Sequence, residues 1–294
     1  TEFVGRVTQF ASLFVLYGVL HFSGKQLSVG VLFLVALSAS TLISVILLVS
    51  LGLKFQLSRD LTGLRGGLAF AIPCYAANLA QFLNYKLDVF VVGFFAGAAS
   101  VGRYTLAVSL GQLLWLMSNS VASVLLPKVA ASTDGGGSVR HTARVTRLSL
   151  WATALCGVAL AVLATQAIPL LYGEAFRPSI MALLWLLPGI VVFSVANVLA
   201  AYIAGIGKPR LNLIVSGISL IVTISLDLAL IPNLNIVGAA IASTVSYSLS
   251  ALLLIIFFIR ETGASAREVL LPTSEDLRML WSVARPRMGS ESTV

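Results

Sequence analysis

Eight apolar runs succeed one another along the first 259 residues of the chain, and they constrain its fold more than any other feature. They cover residues 7–22, 29–53, 64–96, 101–126, 148–171, 180–206, 211–231 and 236–259. About 20 consecutive apolar residues in a helix cross the hydrocarbon core of a bilayer. Hydrophobic residues make up 58% of the chain and charged residues 10%, whereas a soluble domain is about 25% charged. The sequence therefore predicts an all-α, polytopic bundle of about eight transmembrane helices in a lipid bilayer.

The third run, residues 64–96, is longer than one perpendicular crossing of a membrane requires. As a continuous helix it would extend about 50 Å, yet it is too short for two spans and a turn. We expect this helix to tilt, bend or protrude, and Pro73 is a plausible site for a kink. The Gly/Ala-rich segment 93–102 is expected to form a hinge-like turn into the fourth span.

Basic residues are distributed unequally over the connections between these runs. Eleven lie in one set of alternate loops and the early tail, and three lie in the other set. The positive-inside rule makes the first set cytoplasmic, which accounts for the net charge of +8 without a nucleic-acid partner. Arg140, Arg144 and Arg147 recur at helical spacing before the fifth run and form a predicted cytoplasmic basic face. Such a face usually orients a protein against anionic headgroups; contact with an anionic lipid substrate is the alternative.

Polar side chains recur on single faces of several predicted helices, because residues three and four apart lie on the same side of a helix. Ser and Thr at such positions commonly join neighbouring helices, whereas Asn, Gln and Asp within several spans indicate a water-filled cavity. The seventh run carries a polar line of Asn212, Ser216, Ser219, Thr223 and Asp227. The residues that we take as a candidate substrate pathway are Asn78, Gln81, Asn84, Lys86, Asp88, Gln112, Asn119, Asn197 and Asp227.

Lys86 and Asp88 are the two charged residues near the end of the third run. Positions two apart on a helix point to nearly opposite sides, so the two residues are not a local ion pair in a regular helix. Asp88 shares a face with Asn84 and Gln81 and is expected to look toward the cavity. Lys86 must extend to the membrane interface, pair with another element, or line a different surface.

Motifs for catalysis, nucleotide binding and metal binding are missing from the sequence. The segment 205–209 superficially resembles a phosphate-binding loop, but Tyr202 stands in place of the first Gly and Pro209 in place of the Ser/Thr. Cys74 and Cys156 lie within apolar runs and are expected to act as small buried hydrophobic residues. His21 and His141 are far apart and have no Cys nearby to complete a metal site. We therefore predict a protein that is not an enzyme and that has no cofactor and no bound metal.

Short motifs in a fixed order connect the chain to a known family. They are FAIP at 70–73, LD at 87–88, VGFFAG at 92–97, VGRY at 101–104, VLLPK at 124–128, LYGEAF at 171–176, AGIGKP at 204–209, LIP at 230–232 and VGAA at 237–240. This order resembles the polysaccharide exporter and O-antigen flippase branch of the multidrug/oligosaccharidyl-lipid/polysaccharide (MOP) superfamily. Asp88 matches a recurring acidic position of the family, and Lys86 falls where a basic residue is common.

The resemblance implies a domain organisation. Members carry 12 or 14 spans in two six-helix lobes, so residues 1–53 look like the last two helices of the first lobe and residues 60–260 like the whole second lobe. Because the chain starts with Thr1 and the front of the family pattern is missing, we expect it to be the C-terminal part of a longer protein. The polar segment 261–294, with Pro272 and Pro286, is expected to be a poorly ordered cytoplasmic tail.

The resemblance also implies a function. A polyprenyl-pyrophosphate-linked oligosaccharide would be flipped across the bacterial inner membrane by alternating access, for polysaccharide or lipopolysaccharide O-antigen assembly. Cationic side chains in the cavity would offset the negative charge of the pyrophosphate. An ion gradient or the membrane potential would drive the return of the transporter to its starting conformation. Other polysaccharide-assembly membrane proteins would be partners. The alternatives are a cation-coupled drug antiporter of the same superfamily, a scaffolding role, or a membrane-embedded polymerase or glycosyltransferase, against which the short outer loops argue.

Overall fold

The computed structural model describes residues 38, 41, 61–132 and 135–271 of the chain. Residues Thr62–Val294 form one compact unit. The other unit, Thr1–Leu61, contains the predicted spans 7–22 and 29–53, which lie outside the described residues apart from Ser38 and Thr41. The helices in chain order are α1 Leu61–Gln112, α2 Trp115–Ala131, α3 Gly135–Tyr172, a 3-10 turn Glu174–Phe176, α4 Pro178–Gly205, α5 Pro209–Thr262 and α6 Ala266–Leu270.

Two of the long helices are broken by a single residue. Gly97 in α1 has φ 78° and ψ 172°, and Asn235 in α5 has φ 51° and ψ −133°. Each helix therefore has two arms, 61–96 and 98–112 in α1, and 209–234 and 236–262 in α5. The predicted turn over 93–102 is thus confined to Gly97, because glycine adopts a positive φ without steric cost. Pro73, the predicted kink, keeps helical backbone angles within the first arm.

These arms and helices follow the predicted spans from the third to the eighth. The second arm of α1 and helix α2 together cover the fourth span, and they are joined by a turn at residues 113–114. Four stretches are long and apolar enough to cross a membrane, namely Arg65–Gln112, Gly137–Tyr172, Pro178–Gly205 and Pro209–Thr262. The prediction of an all-α membrane helix bundle is confirmed.

Helix α4 packs against α2, α3 and α5, and more than half of its residues are buried. It approaches α5 closely at Gly189, where an added Cβ atom would lie 2.5 Å from Thr244 Cα. At this crossing Thr244 Oγ1 donates a hydrogen bond of 2.6 Å to the carbonyl oxygen of Trp185. Large apolar side chains remain exposed on the other helices, such as Phe90, Leu155 and Leu170, as a lipid-facing surface requires.

The start of the predicted tail is folded onto α3. Val269 in α6 is fully buried, and Trp151 Nε1 donates a hydrogen bond of 3.1 Å to the Leu270 carbonyl oxygen. Arg147 donates to the main-chain oxygen of Glu268. A buried valine and two side-chain hydrogen bonds therefore hold residues 266–271 against α3. Residues 272–294 lie outside the described residues.

Candidate substrate cavity

A cavity of about 490 Å³ lies among α1, α2, α4 and α5. Five side chains with a carboxamide group line it, and we call it the carboxamide cavity: Asn78, Gln81, Asn119, Asn197 and Asn212. Four of the five belong to the predicted substrate pathway, and the fold brings them together from three helices. The fifth, Asn212, begins the polar line of the seventh run and was not assigned to the pathway from the sequence.

Four aromatic side chains line the cavity, and three of them, Tyr85, Trp115 and Phe193, pack against one another. The ring centroids of Tyr85 and Trp115 are 4.8 Å apart, and those of Trp115 and Phe193 are 5.3 Å apart. Tyr247 packs against this group, with its ring centroid 5.0 Å from that of Phe193. These rings were not among the predicted site residues, because aromatic residues in apolar helices are common and only the packing of the helices brings them together.

Three polar atoms on the cavity wall have no hydrogen-bond partner among the described residues. They are Nε2 of Gln81, Nε1 of Trp115, whose side chain is only 6% exposed, and Oδ1 of Asn212. Neighbouring groups are satisfied, since Asn212 Nδ2 donates to the Ala200 carbonyl oxygen at 2.9 Å and Asn197 Nδ2 donates to Ser118 Oγ at 3.0 Å. Buried polar atoms in proteins are generally hydrogen-bonded, so the three unpartnered atoms mark positions where a polar ligand can bind.

Asn84 does not line the carboxamide cavity and instead joins helices. It is fully buried, and its Nδ2 donates to Ser219 Oγ at 2.9 Å while its Oδ1 accepts from Thr223. Thr223 Oγ1 is also within hydrogen-bond distance of Ser246 Oγ, at 2.6 Å. We call this group, completed by Ser250 Oγ donating to Ser219 Oγ at 2.8 Å, the Asn84 network. Every member is polar and buried, as expected for side chains that join membrane helices.

Asp88, one turn beyond Asn84, lies in a second buried cluster. Its Oδ2 accepts hydrogen bonds from Tyr104 Oη at 2.5 Å and from Ser243 Oγ at 3.3 Å. Its Oδ1 accepts from the Val89 main-chain N–H at 2.7 Å. The carboxyl group is thus held by three donors from both arms of α1 and from α5.

Asp227 lies one turn beyond Thr223, and Thr223 bonds to Asn84. Its side chain is fully buried, and neither carboxyl oxygen has a hydrogen-bond partner among the described residues. Within the described part of the chain, no group of three or more His, Cys, Asp or Glu side chains could hold a metal ion.

The other predicted site residues do not reach the cavity wall. Lys86 is exposed, on the side of α1 away from the buried Asp88, as their spacing predicts. Gln112 is half-buried and is not part of the cavity lining. Of the three arginines in the predicted basic face, Arg140 is exposed, Arg144 is half-buried, and Arg147 is buried against α6. Arg147 therefore does not belong to an exposed face.

Comparison with known proteins gives a family for this structure. The family model described as "Polysaccharide biosynthesis protein" matches residues 11–181. Among individual relatives, the probable multidrug resistance protein NorM of Rhizobium meliloti (strain 1021) is 28% identical over 196 residues, which cover 62% of this chain and 41% of NorM. The multidrug export protein MepA of Staphylococcus saprophyticus is 24% identical over 242 residues, or 76% of this chain and 51% of MepA.

A third relative is named for a different role. The probable low-salt glycan biosynthesis flippase Agl15 of Haloferax volcanii is 23% identical over 182 residues, or 60% of this chain and 38% of Agl15. The chain thus spans about half the length, or less, of these relatives.

Solved structures agree on the fold. An outward-facing multidrug resistance MATE family transporter of the MOP superfamily has a TM-score of 0.52, with 23% identity over 72% of this chain and 49% of that one. A MOP superfamily transporter from Pyrococcus furiosus, described as having a binding pocket of reverse polarity, has a TM-score of 0.51 with 21% identity over the same shares.

Proposed function

The chain belongs to the polysaccharide biosynthesis protein family of the MOP superfamily, and from that membership we propose that the whole protein flips a lipid-linked oligosaccharide across a membrane. The substrate would be a polyprenyl-pyrophosphate-linked oligosaccharide that moves from the cytoplasmic to the outer leaflet of the bacterial plasma membrane. The protein acts as a transporter and not as an enzyme, and the glycan that it delivers serves polysaccharide assembly, with other membrane proteins of that assembly as partners.

The carboxamide cavity is the observation that carries this proposal. It lies among helices that are apolar enough to cross a membrane, and its wall combines carboxamide groups with aromatic rings. A drug-sized or sugar-sized ligand fits a cavity of this volume, since small-molecule sites measure about 300–1,000 Å³. In alternating access, the lobe that contains this cavity would move against the other lobe around the bound substrate.

A flipping assay tests the proposal. The full-length protein is reconstituted into liposomes that contain a polyprenyl-pyrophosphate trisaccharide with a fluorescent group on its lipid chain. Dithionite does not cross the bilayer and bleaches only the fluorescent lipid in the outer leaflet. Without flipping, half of the fluorescence is therefore lost; with flipping, nearly all of it is lost. Wild-type protein that leaves half of the fluorescence protected would contradict the function.

A matched pair of variants connects that assay to the cavity. Ala200→Trp places a large side chain in the cavity wall, whereas Leu155→Trp places one on an exposed apolar surface of α3, where Leu155 is 74% exposed. We expect Ala200→Trp to abolish flipping and Leu155→Trp to preserve it. Equal activity of the two variants would remove the cavity from the transport pathway.

A second candidate function, a cation-coupled antiporter of drugs or small molecules, is favoured by the buried carboxyl groups of Asp88 and Asp227. Ionisable residues at membrane depth commonly serve ion or proton pathways, and two of the relatives are named multidrug proteins. Uptake of tetraphenylphosphonium by the same proteoliposomes, driven by a sodium or proton gradient, separates the two functions. Gradient-driven uptake without lipid flipping would favour the antiporter.

Substitution of Asp88 and Asp227 tests whether flipping is coupled to an ion. If their carboxyl groups couple flipping to an ion, Asp88→Asn and Asp227→Asn each lower surface polysaccharide in cells while the protein stays in the membrane. Unchanged polysaccharide in both variants would remove these residues from the mechanism.

A further inference from the structure

The wall of the carboxamide cavity is uncharged. The described residues that line it include no Asp, Glu, Lys, Arg or His. Asp88 and Asp227 are fully buried among helices and are not part of the lining. The resemblance to the family implies cationic side chains in the cavity to offset a pyrophosphate, and this part of the protein does not supply them.

An uncharged wall is a poor site for a pyrophosphate. Binding of phosphate groups in proteins relies on Arg and Lys, which form charge-assisted hydrogen bonds. A pyrophosphate transferred from water into a cavity without a cation would lose its hydration without a compensating charge. The anionic part of a lipid-linked substrate must therefore be held outside the carboxamide cavity.

The hydrogen-bonding groups on the wall suit hydroxyl groups. Each carboxamide offers both a donor and an acceptor, and a sugar hydroxyl needs one of each. The unpartnered Nε2 of Gln81 and Nε1 of Trp115 are donors, and the unpartnered Oδ1 of Asn212 is an acceptor. The neighbouring aromatic rings alone would be compatible with a cation, whereas two unpartnered N–H donors favour a ligand with oxygen acceptors. The aromatic rings offer flat apolar surfaces to the C–H faces of a sugar.

We infer that the carboxamide cavity is a binding subsite for uncharged sugar residues of the transported substrate. This inference rests on the proposed flippase function and adds the chemical class of the group that this lobe binds. Asn78, Asn119 and Asn197 recognise hydroxyl groups. Gln81 and Trp115 supply the unpartnered donors and Asn212 the unpartnered acceptor. Tyr85 and Phe193 pack against the sugar ring.

Direct binding to the full-length protein in nanodiscs tests the subsite. Tryptophan residues are labelled with ¹⁵N in the indole ring, and the Trp115 signal is assigned as the one lost in Trp115→Phe. The probes are the neutral trisaccharides maltotriose, chitotriose and mannotriose, together with sodium pyrophosphate and tetraphenylphosphonium. We expect at least one trisaccharide to shift the Trp115 signal and to leave unchanged the signals of Trp151 and Trp185, which face outward and are about half exposed.

Several results would overturn the inference. These are the absence of a Trp115 shift with all three trisaccharides, and a shift that only pyrophosphate or only tetraphenylphosphonium produces. A matched pair of variants adds a quantitative test: Gln81→Leu removes a cavity carboxamide, whereas Gln166→Leu removes an exposed one on α3 that is not in the lining. We expect Gln81→Leu to weaken trisaccharide binding about tenfold, which corresponds to one lost hydrogen bond, and Gln166→Leu to leave the affinity unchanged.

The flipping assay separates this inference from the function on which it rests. Wild-type protein that flips the lipid-linked trisaccharide but shows no Trp115 shift would overturn the sugar subsite and leave the function standing. Protein that shows the trisaccharide shift but does not flip the lipid would overturn the function and leave a sugar-binding cavity.

Discussion

Tyr104 donates a hydrogen bond of 2.5 Å to Asp88 across the Gly97 break in α1. Both side chains are buried, and Tyr104 Oη is also 3.4 Å from Ser243 Oγ on α5. The bond joins the two arms of α1 across Gly97, which has no side chain to fix the turn. The angle between the two arms is therefore determined in part by a buried polar contact.

Tyr104→Phe is expected to lower the free energy of unfolding by about 1–3 kcal/mol, because the Asp88 carboxyl group loses a buried donor. The matched control is Tyr75→Phe in the first arm of the same helix, where the side chain is 72% exposed. Thermal unfolding in detergent, followed by tryptophan fluorescence, measures the difference between the two variants. A Tyr104→Phe protein that melts at the same temperature as Tyr75→Phe would show that the bond does not stabilise the bend.

Asn84 and Asn78 have the same side chain on the same helix and are expected to have opposite roles. Asn84 is fully buried and makes hydrogen bonds to Ser219 and Thr223, whereas Asn78 is exposed in the carboxamide cavity. Asn84→Ala leaves buried hydroxyl groups with fewer partners and should cost about 2–4 kcal/mol, since each unsatisfied group costs about 1–3 kcal/mol. Asn78→Ala should change the unfolding temperature little and lower flipping.

The measurement for this pair is the unfolding temperature together with the flipping rate per folded protein. Two results would contradict the assignment: an Asn78→Ala variant that is as destabilised as Asn84→Ala, or an Asn84→Ala variant that unfolds like the wild type.

The helical periodicity of the sequence was sufficient to place Asp88 and Lys86 on different sides of their helix. Asp88 and Lys86 lie on different sides of α1 because two positions on a helix are about 200° apart, and no tertiary information is needed for that result. The apolar runs predicted the membrane-spanning segments for the same reason, since chain length and hydropathy determine which helices can cross a bilayer.

The burial of each polar residue and the helices that pack against it could not be predicted from periodicity. Asn78 and Asn84 share one polar stripe, yet the first faces the cavity and the second is enclosed by α5, because only the crossing of two helices decides where a stripe becomes buried. The extent of the turn at Gly97 and the anchoring of α6 depend likewise on contacts between residues far apart in the chain. Trp115 is identified as a site residue only by its place in the cavity wall and its packing against the neighbouring rings.

Gly189 is expected to be intolerant of any side chain, because an added Cβ would lie 2.5 Å from Thr244 Cα and 2.8 Å from its Oγ1. Gly189→Ala should separate α4 from α5 and cost about 1–3 kcal/mol, which is typical of overpacking. Gly217→Ala in α5 is the control, since a Cβ added there would have no neighbouring atom within 4 Å; alanine at this position should raise stability by up to about 1 kcal/mol. Thermal unfolding compares the two, and equal melting temperatures would contradict the close crossing.

The anchoring of α6 on α3 gives a prediction about proteolysis. Val269 is fully buried, whereas Leu271, two residues later, is 53% exposed. Val269→Asp should release residues 266–270, because a carboxylate cannot remain in that apolar contact without a partner. Leu271→Asp introduces the same charge and should leave the helix anchored.

Limited trypsin digestion followed by mass spectrometry measures this release at Arg267, which is exposed but lies within α6. Cleavage there requires local unfolding, so Val269→Asp should increase its rate several-fold over both the wild type and Leu271→Asp. Trp151→Phe, which loses only the hydrogen bond to the Leu270 carbonyl oxygen, should have an intermediate rate. Equal cleavage rates in all four proteins would mean that the segment is not held by these contacts.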